Sequence, residues 1–211
     1  MSSFVTLEGL DGSGKSTVLS YLRKQLPEAV FTREPTSPSE DNQAPEILEE
    51  SWTGPLVRER LRDEEFSEEY TLFFLFMLDH AWHVENVVMP NMRQKNTLVS
   101  DRYIDSRCAY QAAALKDTGK QDTLEWILDI HSWSVFPDKT ILIDVPASVS
   151  AQRIENNDSE RFERQEFLSD VRENYIELAE RFNNRYAIVD GTQSKEDVAE
   201  ECYSVLKRLT D

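Results

Sequence analysis

The chain has 211 residues and a formal net charge of −17, from 23 Lys and Arg against 40 Asp and Glu. This length suits one α/β domain and is short for two domains of ordinary size. The negative charge argues against nucleic acid and anionic lipid as partners, because the average surface repels both. We therefore expect a single domain over residues 1–211, in which locally placed Arg and Lys must bind any anionic substrate.

The sequence also predicts the cellular setting. It has no apolar run of the ~18 residues that a membrane span needs, and its N-terminus has no signal-peptide pattern. Cys108 and Cys202 are too few and too isolated for a disulfide framework or a zinc site, which fits a reducing cytosol. We expect a cytoplasmic protein with no membrane partner. The acidic residues are spread over several stretches, which favours a salt-adapted, halophilic surface, although the same composition would also serve solubility alone.

The first predicted element runs from Val5 to Thr17, VTLEGLDGSGKST, as a buried strand, a glycine-rich turn and the start of a helix. Within it, Gly9 to Ser16 fits G-x-x-x-x-G-K-[ST], in which glycines let several backbone N–H groups point at one anion. Lys15 can reach the outer phosphates of a nucleotide, and the Ser16 hydroxyl can complete a Mg²⁺ shell. A Gly/Ser-rich turn before an ordinary helix is the alternative, which the flanking apolar spacing disfavours. The residues expected to bind ATP here are Gly9, Gly12, Ser13, Gly14, Lys15, Ser16 and Thr17.

Strands and helices alternate along the rest of the chain. Further strands are predicted at residues 29–32, 98–100, 140–145 and 186–189. Helices are predicted near residues 56–61, 67–88, 104–115, 122–132, 149–156, 166–181 and 195–209. Such alternation implies a parallel sheet covered on both faces. The predicted fold class is therefore α/β, a three-layer sandwich of the P-loop NTPase type with a central parallel five-stranded sheet.

Three segments have a distinctive composition. Residues 36–50 are rich in Ser, Pro, Asn, Asp and Glu, which predicts an exposed loop. Residues 157–164 are predicted to form a charged loop. The helix from Ser67 to Val88 is too apolar for a single buried stripe, so we expect part of it to meet a second subunit.

Polar residues follow two of the predicted strands, at the sheet edge where ligands of open α/β sheets bind. Arg33 follows the second strand, while Asp101 and Arg102 follow the third. Ser16 is expected to bind a metal ion directly, and Asp101 is placed to hold the metal or its waters. The two guanidinium groups could clamp a second, accepting phosphate, although for Arg33 an ordinary surface ion pair is an equal alternative.

Asp11 and Phe76 are two further candidates for contact with a nucleotide. Asp11 lies inside the phosphate loop, where a carboxylate would be repelled by phosphate, so a sugar hydroxyl is a natural partner. Phe76 could stack on a base, but an aromatic residue on an apolar helix face is as often part of the core.

Five segments resemble thymidylate kinases, in this order and at plausible spacing: EGLDGSGKST, TREPT, LFMLDHAWHV, SDRYIDSRCAYQ and ERFERQEF. The resemblance spans most of the chain and is weakest from Ser37 to Trp52, and the composition is similar to that of salt-loving archaeal members. It implies transfer of the γ-phosphate of ATP to dTMP, giving ADP and dTDP, with Mg²⁺ and usually as a homodimer.

The resemblance also implies roles on the phosphate side of the acceptor site. Asp11 matches a loop carboxylate near the deoxyribose and its phosphate, and Glu34 matches the acid of an R-E-P turn. Arg102 matches an arginine at the dTMP phosphate. TGPLVR is similar to the family's T-G-x-x-x-R, so Arg58 matches a second phosphate-binding arginine better than Arg33 does.

On the base side, Phe76 matches the residue stacked on thymine, and Tyr110 matches the ring beneath the sugar that disfavours a 2′-hydroxyl. Ser106, Arg107 and Gln111 fall where side chains of the family reach the base or its surroundings.

A flexible lid over ATP is implied for the segment near 153–166. Arg153 matches an arginine near the adenine and phosphates, and Arg161 and Arg164 match the basic lid loop. Some members carry a catalytic Arg in the phosphate loop, where this chain has Gly12, so the lid arginines are expected to act instead. The catalytic residues implied are Lys15, Arg102, Arg161 and Arg164.

One position departs from the family pattern. Many thymidylate kinases have Arg where this chain has His80, and that Arg donates to a thymine carbonyl. A neutral imidazole has one donor and a shorter reach. Our hypothesis is that Arg107 supplies the missing guanidinium, and the alternative is that Arg107 only pairs with a carboxylate such as Asp105.

Two other functions stay open at this point. A nucleotide or nucleoside kinase with a different base preference is kept open by His80. A non-enzymatic P-loop switch is the second, although the chain lacks the guanine-binding N-K-x-D and clusters arginines at a plausible second anion site.

Overall fold

The computed structural model describes residues 3–37, 43–63, 68–119, 122–154 and 158–210, with the backbone alone described at 117, 158–164 and 210. Its centre is a five-stranded sheet in the order β2-β3-β1-β4-β5, with all neighbouring strands parallel. The strands are β1 (Phe4–Glu8), β2 (Val30–Arg33), β3 (Leu98–Asp101), β4 (Lys139–Asp144) and β5 (Tyr186–Asp190). The predicted parallel five-stranded sheet is confirmed.

Helices connect these strands. They are α1 (Lys15–Gln25), α2 (Thr53–Leu61), α3 (Glu69–His83), α4 (Met89–Arg93), α5 (Ile104–Ala114), α6 (Thr123–Ile130), α7 (Ala147–Arg153), α8 (Asp158–Arg181) and α9 (Lys195–Thr210). A π-helical turn at Val84–Val88 joins α3 to α4, and short 3-10 helices lie at Glu46–Glu50, Lys116–Thr118 and His131–Trp133. None of the helices in the described part of the chain combines the length and apolar character that crossing a bilayer requires.

The sheet separates two apolar cores because successive side chains of a strand point to opposite faces. Phe4 lies in the core that α5, α6 and α8 cover, whereas Val5 lies in the core that α1 and α9 cover. Helices therefore cover both faces, which agrees with the three-layer arrangement expected of an α/β domain.

The strand order also locates the functional edge. The chain leaves β1 first towards β2 and β3 on one side, and later towards β4 and β5 on the other. Backbone hydrogen bonds then join the strand ends, since Arg102 N donates to Leu7 O at 3.0 Å and Glu34 N donates to Asp101 O at 3.0 Å. The loops after β1, β2 and β3 are thereby held side by side at the carboxyl edge of the sheet.

Two predicted loops are corrected by the structure. Residues 158–164 are not a loop, because α8 begins at Asp158, and residue 157 of that predicted loop lies outside the described residues. The segment 36–50 is not wholly exposed either, since Thr36 and Leu48 are buried and Glu46–Glu50 forms a 3-10 helix. Ser67, the predicted start of the long apolar helix, lies outside the described residues, and α3 begins at Glu69.

Candidate active site

The loop after β1 has the backbone geometry of a phosphate cradle. Gly9 and Gly14 have φ angles of 140° and 106°, which side chains disfavour. A Cβ on Gly9 would also lie 2.5 Å from the carbonyl oxygen of Ile143, so glycine is required there. Gly14 caps α1, whose unpaired N–H groups therefore face the loop. The predicted ATP-binding residues of this loop and the first turn of α1 are thus contiguous in one cradle.

Lys15 lies folded against this cradle. Its Nζ donates to Gly9 O at 3.0 Å and to Leu10 O at 2.8 Å. Burial, followed by the charge of Arg102, lowers the pKa of Lys15 to about 7. An anion in the cradle would favour the charged form of Lys15, because opposite charges at this range stabilise each other.

Arg102 lies at the border between the cradle and a larger cavity. Its φ of 66° is unusual for a residue with a side chain. Its guanidinium donates to Gly9 O at 3.1 Å, to Ser106 Oγ at 3.0 Å and to Asp11 Oδ1 at 2.6 Å. Burial alone would raise the pKa of Asp11, but Arg102 and Lys15, with the hydrogen bonds of Arg102 and Tyr110, together hold that pKa below its usual value. A charged arginine therefore touches the phosphate loop and the neighbouring cavity at once.

The cavity has a volume of about 870 Å³. One part of its wall is Arg102, Asp11 and Tyr110, with the Arg102 Cζ 4.9 Å from the centre of the Tyr110 ring. Ser106 and Gln111 of α5 also line it. Eight of the predicted acceptor residues line this one cavity: Asp11, Glu34, Phe76, Arg102, Ser106, Arg107, Tyr110 and Gln111.

Another part of the wall is built on Arg107. Its Nη2 donates to Glu34 Oε2 at 2.5 Å, and its Cζ lies 5.0 Å from the centre of the Phe76 ring. Its Nε is buried and has no hydrogen-bond partner among the described residues. Asp105 is not its partner, because both oxygens of Asp105 bind Arg185, at 2.6 Å each, but Arg107 does pair with another carboxylate, that of Glu34. Arg107 therefore lines the cavity with its guanidinium held by Glu34, while its unpaired Nε is buried.

Two predicted acceptor residues do not line the cavity. Arg58 donates to Pro35 O at 3.1 Å and to Thr36 O at 2.6 Å, so it braces the turn that carries Glu34. His80 is fully buried. Its Nδ1 lies 2.9 Å from Glu34 Oε1 and its Nε2 lies 2.8 Å from Ser134 Oγ, so both ring nitrogens are already paired beneath the cavity wall.

Ser16 and Asp101 line a second cavity of about 290 Å³ beside the cradle. Asp101 Oδ2 pairs with Arg33 at 3.2 Å, whereas Asp101 Oδ1 is buried without a partner among the described residues. A carboxylate oxygen without a partner and a hydroxyl fit Mg²⁺. In nucleotide sites this ion usually takes only one or two protein ligands, and phosphates and waters complete its shell. Within the described residues no group of three His, Cys, Asp or Glu side chains forms a denser metal site.

The predicted lid residues have different outcomes. Arg153 at the end of α7 donates to Gly12 O at 3.1 Å and to Gly191 O at 3.4 Å, so it joins the cradle to the end of β5. Arg161 and Arg164 lie on α8, but their side chains are outside what the structure describes.

Sequence reasoning missed Glu8, the last residue of β1. It is fully buried, and its Oε2 accepts hydrogen bonds from Ser106 and, at 3.1 Å, from Tyr175. Burial, followed by the charge of Asp105, raises the pKa of Glu8 to about 8. A carboxylate closing the mostly apolar strand FVTLE was the available clue.

It also missed His83, whose Nδ1 lies 2.8 Å from Glu34 Oε1. The clue was its spacing, since Phe76, His80 and His83 are four and then three residues apart and thus share one face of α3.

Comparisons with known proteins agree with this geometry. The thymidylate kinase family model matches residues 7–202. The chain is 38% identical over 213 residues to a "Probable thymidylate kinase" of Methanosarcina acetivorans, covering 98% of this chain and 95% of that protein. Proteins with the same description from Methanococcoides burtonii and Halorubrum lacusprofundi are 35% and 37% identical, over 98% and 97% of this chain and 95% and 98% of the relatives. The chain therefore belongs to the thymidylate kinase family.

Proposed function

We propose that this protein transfers the γ-phosphate of ATP to dTMP, giving ADP and dTDP. One observation carries the proposal: the Arg102 guanidinium contacts both the carbonyl of Gly9 in the phosphate cradle and the wall of the adjoining cavity. Two phosphate groups bound on either side of it would face each other across one charged group, as phosphoryl transfer requires.

The side chains divide the work as follows. Backbone N–H groups of the cradle would hold the β- and γ-phosphates, and Lys15 would move from its loop carbonyls onto them. Arg102 would stabilise the charge on the transferring group. Arg161 and Arg164 stay proposals for the same role from α8. Ser16 and Asp101 would hold Mg²⁺, which when bound neutralises charge on the outer phosphates.

The acceptor nucleotide would be recognised along the larger cavity. Phe76 offers a ring face for stacking on a base, and the Arg107 guanidinium beside it would donate to a pyrimidine carbonyl. Asp11 and Tyr110 lie beside Arg102 and would contact the sugar. Arg58, which braces the turn of Glu34, would support this site from outside it.

Replacing Arg107 by Ser tests the base contact. We expect the KM for dTMP to rise about tenfold, because one charge-assisted hydrogen bond is lost, and the KM for ATP to stay nearly unchanged. Coupled ADP-release kinetics with dTMP, dUMP, dCMP and dGMP as acceptors provide the measurement. Equal effects on both KM values would contradict the role of Arg107. If the wild type preferred another acceptor, a kinase with a different base preference would be favoured. ATP turnover that no acceptor stimulates would favour a P-loop switch.

We further propose that the protein is a homodimer that works in a cytoplasm of high salt. The outward face of α3 exposes Tyr70, Phe74 and Leu78, an apolar surface that a second subunit would cover. Both cysteines are free thiols, as expected in a reducing compartment. Light scattering of the purified protein at low and at molar salt would report the mass of the assembly, and a monomer under both conditions would contradict the dimer.

A further inference from the structure

Two histidines of α3 converge on a single oxygen of Glu34. His80 Nδ1 lies 2.9 Å from Glu34 Oε1, and His83 Nδ1 lies 2.8 Å from the same atom. All three side chains are 0–1% exposed. The other carboxylate oxygen, Oε2, accepts from Arg107 Nη2 at 2.5 Å. Glu34 is thus held between two imidazoles on one side and a guanidinium on the other.

The partners of the remaining ring nitrogens fix how these hydrogen bonds run. An ionised carboxylate only accepts, so both Nδ1 atoms must carry hydrogen. Each Nε2 then faces a hydroxyl that can donate to it, Ser134 Oγ at 2.8 Å from His80 and Thr32 Oγ1 at 2.7 Å from His83. Both imidazoles are therefore fully paired in the neutral form.

The charges agree with this arrangement. Burial lowers the pKa of His80, which favours its neutral form. Burial alone would raise the pKa of Glu34, but the charge of Arg107 and the hydrogen bonds of both histidines hold it well below the usual value. Glu34 therefore stays ionised, and Arg107 is its positively charged partner, whereas the two histidines pair with it in the neutral form.

This arrangement sets the position of Arg107. A free arginine side chain must lose much of its rotamer freedom when it binds a ligand. Here Glu34 has already fixed the guanidinium over the Phe76 ring, in the wall of the cavity. Such preorganisation improves affinity because less freedom is lost on binding.

We infer that His83, together with His80, is a positioning residue for the acceptor nucleotide: the two imidazoles hold Glu34, and Glu34 holds the Arg107 guanidinium against Phe76. This inference rests on the proposed function of the cavity as the acceptor site. Neither histidine touches the nucleotide itself.

The experiment compares three variants of the full-length protein. His83→Phe keeps a planar ring but removes the Nδ1 donor, whereas His83→Asn retains a donor near the Nδ1 position. His131→Phe is the control, because His131 is also fully buried and lies 5.0 Å from His80 between ring centres, but its Nδ1 binds Ile127 O.

We expect His83→Phe to raise the KM for dTMP about tenfold and to leave the KM for ATP within about twofold. His83→Asn should restore the dTMP KM to within about threefold of the wild type. His131→Phe should lower the melting temperature without changing either KM. An unchanged dTMP KM in folded His83→Phe, or equal rises in both KM values, would overturn the inference.

A second variant covers the case in which His83→Phe does not fold. Thr32→Val keeps the side-chain shape and removes only the hydroxyl facing His83 Nε2. It should raise the dTMP KM about threefold, and an unchanged value would overturn the inference in the same way. The wild type separates the two proposals: no dTMP-stimulated ADP formation refutes the proposed function and the inference with it, whereas wild-type turnover with unaltered variants refutes the inference alone.

Discussion

Replacing Glu8 by Gln should make the stability of this protein less dependent on pH. The Glu8 carboxyl is buried beneath the phosphate loop, and its Oε1 has no partner among the described residues. Burial and the charge of Asp105 raise its pKa from 4.5 to about 8. Gln has the shape of the protonated carboxyl, and its oxygen can still accept from Ser106 and Tyr175.

The sign and size follow from proton linkage. Because the pKa is higher in the folded state, the folded protein holds a proton that the unfolded chain releases, so this contribution to stability is complete below pH 4.5 and is lost as pH rises through 8. The difference between 8 and 4.5, at about 1.4 kcal/mol per pKa unit, sets a ceiling of roughly 5 kcal/mol. We expect about 2 kcal/mol, because the site can relax and admit water when the carboxyl ionises.

Urea unfolding followed by tryptophan fluorescence at pH 5.5, 7 and 9 provides the assay. The free energy of unfolding of the wild type should fall by about 2 kcal/mol more than that of Glu8→Gln across this range. Glu125→Gln is the control, since Glu125 is on the surface and its pairing with Arg181 lowers its pKa, so that it stays ionised throughout the range. Parallel pH dependences for wild type and Glu8→Gln would refute the reasoning.

Two further predictions concern the site. Gly54→Ala would place a Cβ 1.6 Å from Thr36 O, so the turn that carries Glu34 must shift. We therefore expect the dTMP KM to rise at least about tenfold with little change in the ATP KM. Steady-state kinetics in which both KM values stayed at the wild-type level would contradict this. Asp101→Asn should raise the Mg²⁺ concentration for half-maximal activity about tenfold, and a Mg²⁺ titration without such a shift would remove Asp101 from the metal site.

Much of the fold could be predicted because its determinants are local. Buried parallel strands are short apolar runs, and helices show their own spacing, so TILIDV identified β4 and the Gly9 to Ser16 motif identified the cradle. Residues 158–164 were predicted wrongly as a loop, because this charged stretch carries no apolar stripe that would mark the first turns of α8.

The partners of long or buried polar side chains could not be predicted in the same way. The motif placed Arg58 and His80 near the acceptor, but their hydrogen bonds go to backbone carbonyls and to Glu34, which lie 22 to 46 residues away in sequence. The raised pKa of Glu8 likewise depends on burial and then on Asp105, which lies on another element. Both the hydrogen-bond partners and the protonation of these side chains are set by tertiary contacts that no local sequence pattern encodes.

The shared carboxylate of Glu34 has a consequence for protein design. Placing arginine at position 80 alone would put a second guanidinium beside Arg107 in a dry interior, where like charges are costly. Losing Arg107 alone would leave Glu34 without its guanidinium counter-ion. Positions 34, 80, 83 and 107 should therefore be exchanged together, as one block.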